Sequence, residues 1–302
     1  MGIYDPAKGS KVSYKGAGQA ENMTSIGQYL YLGIYPGAQI KRYDTLLPWD
    51  ASETGSLNPV TLYNDLSGTT FKQDRPFSML AVKTTSPFLE KLYVGTVPIT
   101  SGVQGSFSIY DLAPTPAPVK HNLGIVANQS VVSLAYTNNK VFGGTSVYGG
   151  SKIDTSETAV VFVRNASTDV AITTPFIPVP GRKVISDLMT MPDGKIWGLA
   201  EGGTSTKSDL FIIDPSTAPP YNTTVYPDKF DGLSSVVWQG GKMALGNDGN
   251  VYVSITGKLY AVNITNLNTV VLVPAGVTLL ATDKEWDIYY VKYDINLFKY
   301  DK

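Results

Sequence analysis

The stretch NDGNVYVSITGKLYAVN at residues 247–263 and the stretch PDGKIWGLAEGGTSTKSDLFIIDP at residues 192–215 follow one pattern. Each begins with an Asp-Gly turn, continues through an apolar strand that carries one aromatic residue, turns at a glycine, and ends in a second strand near Asp or Asn. Alternating apolar and polar residues are typical of half-buried strands, and Asp-Gly is typical of tight hairpins. The two stretches therefore predict a repeated antiparallel unit.

An aromatic-bearing strand of this kind occurs six times along the chain. The aromatic residues are roughly 37 to 62 residues apart, which fits propeller blades that carry loop insertions. Another strand-like run precedes and follows each one, and no window shows a 3.6-residue apolar period. The six aromatic positions are Tyr31, Tyr93, Phe142, Trp197, Tyr252 and Tyr289.

These runs predict an all-β fold in which residues 1–302 form a single β-propeller domain of six blades, each with four antiparallel strands. The sixth unit ends after three strands, so we expect KVSYK at residues 11–15 to supply the missing outer strand and close the ring. A seventh partial blade, or a chain cut from a longer array, stays open as an alternative, because IYDP at residues 3–6 also reads as a strand.

Composition excludes several classes of function. The chain has 24 Lys and Arg against 25 Asp and Glu, so no basic field would attract nucleic acid or an anionic membrane. It has no cysteine, which removes disulfides, thiolate metal sites and cysteine nucleophiles. The longest apolar run, residues 270–281, is too short to span a bilayer. We expect no nucleic-acid partner, no membrane insertion, no cofactor and no metal, and we expect a monomer.

Several strings resemble a large group of poorly characterised bacterial secreted β-propeller proteins over nearly the whole chain. They are QAENM, YLGIYPGA, QDRPF, VGTVP, NQSVVSLAY, GGTSVYGG with TSETAVVFV, and DGKIWGLAEG. The resemblance implies a propeller of the WD40-like or quinoprotein-like superfamily at the cell surface or outside the cell, and it implies no particular activity. The Gly-His and Trp-Asp pairs of typical WD40 proteins and the tryptophan-docking repeats of quinoprotein dehydrogenases are absent from the sequence.

Long loops predict where a ligand would bind. In a propeller the loops between second and third strands share one face with the links between blades, and in this chain those loops are the long ones. Loop insertions concentrated on one face suggest a built binding surface. The residues predicted to bind ligand on this long-loop face are Glu21, Asn22, Tyr35, Asp74, Arg75, Gln129, Tyr148, Asp154, Glu157, Arg182 and Glu201, with Asn128 and Lys183 beside them.

Acidic, basic and amide groups beside Tyr35 and Tyr148 would suit a carbohydrate or another extracellular ligand, through hydrogen bonds and ring stacking. A structural interpretation competes with this one. Asp74 and Arg75 would pair with each other and tie neighbouring blades together. Glu157 and Glu201 would be solvated loop residues, and Tyr148 would pack within its loop.

The residue inventory limits catalysis. His121 is the only histidine and is predicted to lie in or near an outer strand, which argues against a Ser-His-Asp triad. Two chemistries stay open. Asp74, Asp154, Glu157 and Glu201 would serve a glycoside hydrolase if two of them face each other, and a tyrosine with an arginine would serve a polysaccharide lyase. We therefore predict a secreted carbohydrate-binding propeller, with a polysaccharide-cleaving enzyme as the alternative and a protein-interaction module third.

Overall fold

The computed structural model describes residues 2–5, 10–13, 18–50, 58–84, 89–99, 102, 104–112, 117–149, 156–232, 240–283, 285–293 and 296–300. These residues contain 25 strands and one short 3-10 turn, Asp65–Ser67. They group into two compact units, Met1–Val131 with Gly149–Ile153 and Val132–Tyr148 with Asp154–Lys302. The described part of the chain contains no helix with the length and apolar character needed to cross a lipid bilayer.

Unit 1 contains two four-stranded antiparallel sheets, in which consecutive strands are neighbours, and one two-stranded sheet. The two-stranded sheet pairs β1 (Gly2–Asp5) with β2 (Ser10–Ser13). The four-stranded sheets are β3 (Gln19–Ile26), β4 (Tyr29–Tyr35), β5 (Gln39–Asp44) and β6 (Val60–Tyr63), and then β7 (Gln73–Lys83), β8 (Glu90–Pro98), β9 (Ser106–Asp111) and β10 (Ala117–Leu123).

Unit 2 continues the same meander from β11 (Ser130–Thr137), whose first two residues belong to unit 1. One eight-stranded sheet holds β11, β12 (Lys140–Ser146), β13 (Val161–Asn165), β14 (Ala171–Phe176), β15 (Val184–Thr190), β16 (Ile196–Glu201), β17 (Lys207–Asp214) and β18 (Asn222–Asp231). A four-stranded sheet follows, with β19 (Lys242–Leu245), β20 (Asn250–Ile255), β21 (Lys258–Asn263) and β22 (Thr269–Val273), and then a three-stranded sheet with β23 (Val277–Thr282), β24 (Ile288–Lys292) and β25 (Asn296–Lys299).

The predicted aromatic-bearing strands are confirmed as the second strands β4, β8, β12, β16, β20 and β24. All six aromatic residues are buried, from Phe142 at 0% exposed to Tyr289 at 8%. The predicted hairpin turns are confirmed as well: Asn138 and Asn139 both have positive φ between β11 and β12, and Gly194 and Gly249 have positive φ in their turns. Asn and Gly suit these turn positions because both tolerate a positive φ at little steric cost.

Neighbouring sheets pack face to face through shared apolar clusters. In unit 1, Tyr31 and Ile40 of the first sheet meet Met79, Leu92 and Tyr110 of the second. In unit 2, strands β15–β18 contribute to one cluster with β11–β14 and to another with β19–β22. Burying one such side chain contributes about 1.5–3 kcal/mol. Within each unit, neighbouring sheets are therefore stabilised by the apolar side chains they share.

Two glycines on second strands let a phenylalanine ring lie flat across the strand. Gly143 is the register partner of Phe162, and Gly198 is the register partner of Phe211. A Cβ atom added at either glycine would lie 2.0 Å from Phe162 or 2.1 Å from Phe211, far inside van der Waals contact. The glycine after the landmark aromatic residue thus provides space for the ring of the third strand.

A side-chain donor on one first strand bonds to a backbone carbonyl of the next first strand at three places along the chain. In unit 1, Asn22 Nδ2 donates to the carbonyl of Phe77 at 2.9 Å, and Ser78 Oγ donates to the carbonyl of Val131 at 3.4 Å. In unit 2, Ser133 Oγ donates to the carbonyl of Ile185 at 2.7 Å. Each donor is 52 to 55 residues from its acceptor, so the bonds recur with the repeat.

The predicted number of blades is not confirmed. Among the described residues, only four sheets have four or more strands, because β11–β14 and β15–β18 are joined into one sheet by the single pair Ser146 and Val184. The last sheet has three described strands, as predicted. Closure through KVSYK is not among the described pairings, in which β2 pairs with β1.

Candidate functional site

The structure divides the predicted ligand-binding residues between the two units. In unit 1, Glu21 and Asn22 lie on β3, Tyr35 ends β4, and Asp74 and Arg75 lie near the start of β7; Gln129 directly precedes β11. In unit 2, Tyr148, Glu157, Arg182 and Lys183 lie in loops and Glu201 ends β16. Asp154 lies outside the described residues.

Three residues of unit 1 form one assembly, which we call the Arg75 assembly: Glu21, Tyr35 and Arg75. Nη1 of Arg75 donates to Oε1 of Glu21 at 2.6 Å, and the guanidinium carbon lies 3.9 Å from the centroid of the Tyr35 ring. The side chain of Glu21 is 8% exposed and that of Arg75 is 25% exposed. A cation that lies over an aromatic ring and is bonded to a carboxylate is held in a set orientation.

Burial raises the pKa of Glu21 above its ordinary value, although Arg75 and a hydrogen bond from Gln19 both act to lower it. Gln19 Nε2 donates to the same carboxylate oxygen as Arg75, at 2.9 Å. The desolvation of the carboxylate is thus only partly offset by its partners. Glu21 links β3 to β7, so the Arg75 assembly also ties two neighbouring sheets together.

The predicted ion pair between Asp74 and Arg75 is wrong, because Arg75 pairs with Glu21 instead. Asp74 lies at a β-bulge, where the register shifts between Gln73 and Arg75, and its Oδ1 accepts a hydrogen bond from the backbone N–H of Gly37 at 2.8 Å. Side chains of adjacent strand residues point in different directions. Arg75 therefore reaches Glu21, while Asp74 supports the turn that follows Tyr35.

Two other predicted residues of unit 1 have structural contacts. Asn22 makes the bond to Phe77 described above. Gln129 is 2% exposed, its backbone carbonyl accepts from the N–H of Gly105 at 3.0 Å, and Asn128 before it has a φ of 56°. These contacts stabilise the link that enters β11.

Arg182 in unit 2 is a buried structural residue. Its Nε and Nη2 donate to the two carboxylate oxygens of Asp209 at 2.6 and 2.5 Å, and its Nη1 donates to the carbonyls of Gly202 and Lys207 at 3.2 and 2.8 Å. The side chains of Arg182 and Asp209 are 8% and 3% exposed. A bidentate pair with two further carbonyl acceptors satisfies the guanidinium within the protein.

Lys183, Tyr148 and Glu201 surround the end of the β15–β16 hairpin. The ammonium group of Lys183 donates to the backbone carbonyl of Glu157. Glu201 is fully buried, and its Oε1 accepts from the N–H of Gly241 at 2.7 Å. The expectation that Glu201 is a solvated loop residue is not met, because its carboxylate holds the following backbone in place. Glu157 is exposed, as that interpretation predicts.

Tyr148 is 9% exposed. Burial raises the pKa of its hydroxyl above its ordinary value, and the charge of Glu201 adds to the rise. A Cβ atom at Gly202 would lie 2.9 Å from the Tyr148 hydroxyl oxygen. The ring therefore packs against this glycine rather than projecting from its loop, which agrees with the packing interpretation.

Asp209, which completes the buried pair of Arg182 from 27 residues away, was not predicted as a site residue. Its sequence signal is a single charged residue directly before the apolar run at residues 210–213. Asp187 was not predicted either; it accepts from the N–H of Met243 at 2.7 Å and lies 3.6 Å from the ammonium group of Lys242. Burial raises the pKa of Asp187 above its ordinary value, against the opposing effect of Lys242.

His121 lies on the outer strand β10, as predicted. Its Nε2 is 2.7 Å from Oδ2 of Asp65, and its ring lies edge-on to those of Phe71 and Tyr110. Nδ1 of His121 is buried, so the ring is enclosed rather than presented to a substrate. Among the described residues, no group of three or more histidine or carboxylate side chains is arranged to hold a metal ion.

Comparison with known proteins supports the fold. No protein-family model matches the chain, and no curated protein matches its sequence. The resemblance to bacterial secreted propellers therefore stays a prediction. Solved structures do match: the CNH domain of AfRom2 aligns with a TM-score of 0.57 at 11% identity, over 94% of this chain and 81% of that one.

A chain of the mitotic checkpoint complex aligns with a TM-score of 0.61 at 12% identity, over 99% of this chain and 80% of that one. The extracellular domain assigned to a hybrid two-component system of B. thetaiotaomicron aligns with a TM-score of 0.58 at 14% identity, over 100% of this chain. This chain spans only 33% of that structure's length. All three neighbours are β-propeller-type folds, and identities this low bear on the fold alone. The chain accordingly has an all-β fold of the propeller type.

Proposed function

We propose that this chain is an extracellular ligand-binding β-propeller that recognises carbohydrate through the Arg75 assembly. The observation that carries the proposal is the guanidinium of Arg75, held over the Tyr35 ring at 3.9 Å and fixed by Glu21 at 2.6 Å. The similarity to an extracellular domain of a bacterial two-component system supports the location.

The chemistry of the assembly favours a polyhydroxylated ligand. The exposed part of the Arg75 guanidinium is a planar donor group suited to hydroxyl oxygens, and the exposed part of the Tyr35 ring offers an apolar surface for the C–H side of a sugar ring. Glu21 already neutralises much of the arginine charge. A neutral or mildly charged sugar therefore fits better than a strongly anionic ligand, which would need an uncompensated cation.

We further propose six blades. The support is that β11–β14 and β15–β18 are each a four-stranded meander and share one register pair, Ser146 with Val184. Counting these two meanders separately and including the three-stranded sheet yields six repeats. Closure of the last sheet by residues 11–15 and a single monomeric domain over residues 1–302 belong to the same proposal.

Binding should be measured by screening the protein on a glycan array and then titrating the best glycan by calorimetry against Arg75→Ala, Arg75→Lys and wild type. We expect Arg75→Ala to weaken binding about 10- to 100-fold, since a charge-assisted hydrogen bond contributes about 1.5–3 kcal/mol. Arg75→Lys should recover part of the loss, because lysine keeps the charge but not the planar fork.

Arg42 provides a matched control. Its guanidinium lies 4.5 Å from the centroid of the Tyr29 ring, so Arg42→Ala removes the same type of stacked cation elsewhere in unit 1. Affinity should stay within two-fold of wild type in that variant, by the argument that only contacting groups change binding. Equal affinity of Arg75→Ala and wild type, in folded protein, would refute the placement of the site.

The enzyme alternatives have less support from the contacts. A lyase would need Arg75 to neutralise a uronate carboxylate, yet Arg75 is bonded to Glu21. Among the carboxylates named for glycoside hydrolysis, Asp74 accepts from Gly37 and Glu201 is fully buried. Incubation with uronate polysaccharides, followed by ultraviolet absorbance of an unsaturated product, distinguishes the two: product formation that is lost in Arg75→Ala would favour the lyase over the binding module.

A further inference from the structure

A groove opens in unit 2 at the end of the sheets opposite to the long loops. We call it the turn-end groove; its volume is about 500 Å³ and it includes Lys195, Trp197, Ile212, Thr224, Tyr226 and Ile264. It lies beside the β15–β16 turn, at the edge of the apolar cluster shared with β19–β22, in which Trp197 is buried and against which Ile212 and Tyr226 pack. None of its residues belongs to the Arg75 assembly. Its volume is in the range of small-molecule sites in proteins.

The floor of the turn-end groove is apolar and rigid. Trp197 on β16 pairs in register with Ile212 on β17, and Ile212 pairs with Thr224 on β18. Cross-strand partners lie on one face of a sheet about 4.5–5.5 Å apart. Trp197 is 4% exposed, so it is held by packing and shows only an edge to the groove. The side chains of Trp197, Ile212 and Thr224 therefore form one row across β16, β17 and β18.

One side of the groove carries hydrogen-bonding groups at a regular spacing. Asn222, Thr224 and Tyr226 alternate along β18 and therefore face the same way. Asn222 and Thr224 are exposed, and Tyr226 is half-buried. Alternate residues of a strand are about 6.8 Å apart. The three side chains offer an amide and two hydroxyls in a line of about 14 Å.

The charged groups beside the groove already have polar partners within the protein. The ammonium group of Lys195 lies 3.0 Å from Oδ2 of Asp193. The carboxylate of Asp214 accepts from the hydroxyl of Ser216 at 2.6 Å and from its N–H at 3.0 Å. An ionic ligand would compete with these contacts. A neutral ligand with one apolar face and several hydroxyls would use the floor and the β18 row without disturbing them.

We propose that the turn-end groove is a second binding site, which takes a neutral saccharide about one or two rings long. The apolar face of a sugar ring packs on the Trp197 edge and Ile212, and the ring hydroxyls bond to Asn222, Thr224 and Tyr226. Ile264, from the turn between β21 and β22, closes the opposite wall. Occupation of this site does not depend on the Arg75 assembly.

The test uses indole ¹⁵N signals, since the chain has 4 tryptophans and thus few signals to separate. Five neutral sugars are titrated into wild type: glucose, galactose, maltose, cellobiose and lactose. The Trp197 signal is assigned from its loss in Trp197→Phe. If that variant does not fold, the signal is assigned from spectra that link the indole to the backbone. At least one sugar should shift the Trp197 signal saturably. Thr224→Arg, which fills the exposed edge of the groove, should reduce that affinity at least 10-fold.

Val270→Arg is the matched control, because Val270 is 59% exposed on the outer strand of the neighbouring sheet and has nearly the shape of threonine. It should leave the Trp197 shift unchanged, as should Arg75→Ala. Glucuronate and glucosamine are titrated as charged comparisons. The proposal would be overturned by the absence of a saturable Trp197 shift with any of the five neutral sugars, by a shift that survives Thr224→Arg, or by a saturable shift seen only with the charged sugars. Loss of the shift in Arg75→Ala would also overturn it, by making the groove dependent on the first site.

Discussion

Arg75 and Arg182 hold similar places in their sheets, near the start of a first strand, yet their surroundings differ. Arg182 is 8% exposed and donates to both oxygens of Asp209 and to two backbone carbonyls. Arg75 is 25% exposed, bonds to Glu21 and covers the Tyr35 ring. The first guanidinium is enclosed by acceptors of its own chain, whereas the second keeps part of its surface toward solvent.

The comparison shows that a polar residue in a link between sheets is not by itself a binding residue. What separates the two arginines is burial, because the side chain of Arg182 is 8% exposed and that of Arg75 is 25% exposed. Removing the enclosed arginine should damage the fold, and removing the partly exposed one should damage binding.

Arg182→Ala should lower the free energy of unfolding by about 3–5 kcal/mol, because it leaves the carboxylate of Asp209 buried without its cation. Chemical denaturation followed by tryptophan fluorescence measures the change. Arg182→Lys should recover only a minor part, since one ammonium group cannot replace a bidentate contact and two carbonyl contacts at once. A loss below about 1 kcal/mol in Arg182→Ala would contradict the structural role.

Arg75→Ala should lower the free energy of unfolding by only about 1–2 kcal/mol, since the side chain is partly solvated and Gln19 still donates to Glu21. The same denaturation experiment measures it, with Arg42→Ala as the comparison for a stacked surface arginine. Losses of equal size in Arg75→Ala and Arg182→Ala would remove the distinction between a site arginine and a structural one.

Glu21→Gln should reveal a small pH dependence. The native pKa of Glu21 is raised above its ordinary 4.5, chiefly by burial, so the folded protein binds this proton more tightly than the unfolded chain does. The resulting stability is complete below pH 4.5 and is lost as the pH rises through the raised pKa. Wild type should therefore lose stability relative to Glu21→Gln from pH 4.5 upward.

Denaturation of both proteins between about pH 3 and pH 8 measures this difference. A difference that grows in favour of wild type as the pH rises would mean that Arg75 lowers the pKa of Glu21 more than burial raises it. The Arg75 assembly would then be a strong ion pair, more like the Arg182 pair than the contrast allows.

Local features of the sequence predicted the repeated strands well. The aromatic second strands and the Asn-Asn and Asp-Gly turns depend on a few neighbouring residues, and strand alternation is visible within each run. The number of blades was not confirmed, because the single pair Ser146 with Val184, which joins two meanders, depends on how separate repeats meet.

The polar contacts were less predictable because their partners are remote in sequence. Glu21 and Arg75 are 54 residues apart, and Arg182 and Asp209 are 27 apart. The pairing of adjacent Asp74 and Arg75 failed for a local reason, since a β-bulge turns Asp74 toward Gly37. The residues of the turn-end groove carry an alternating polar pattern on β18, but that pattern is common on exposed outer strands.

The bonds from one first strand to the carbonyl of the next bear on how such a chain can be rearranged by gene duplication. Asn22, Ser78 and Ser133 each supply a donor for the strand that follows. A copy of one of these three repeats would carry its own donor and its own acceptor carbonyl, so it could be inserted beside another of them with both groups paired. Because the acceptor is a backbone carbonyl, which every residue has, a hydrogen bond of this kind allows a repeat protein to gain or lose a unit in one genetic step while its repeats diverge in sequence.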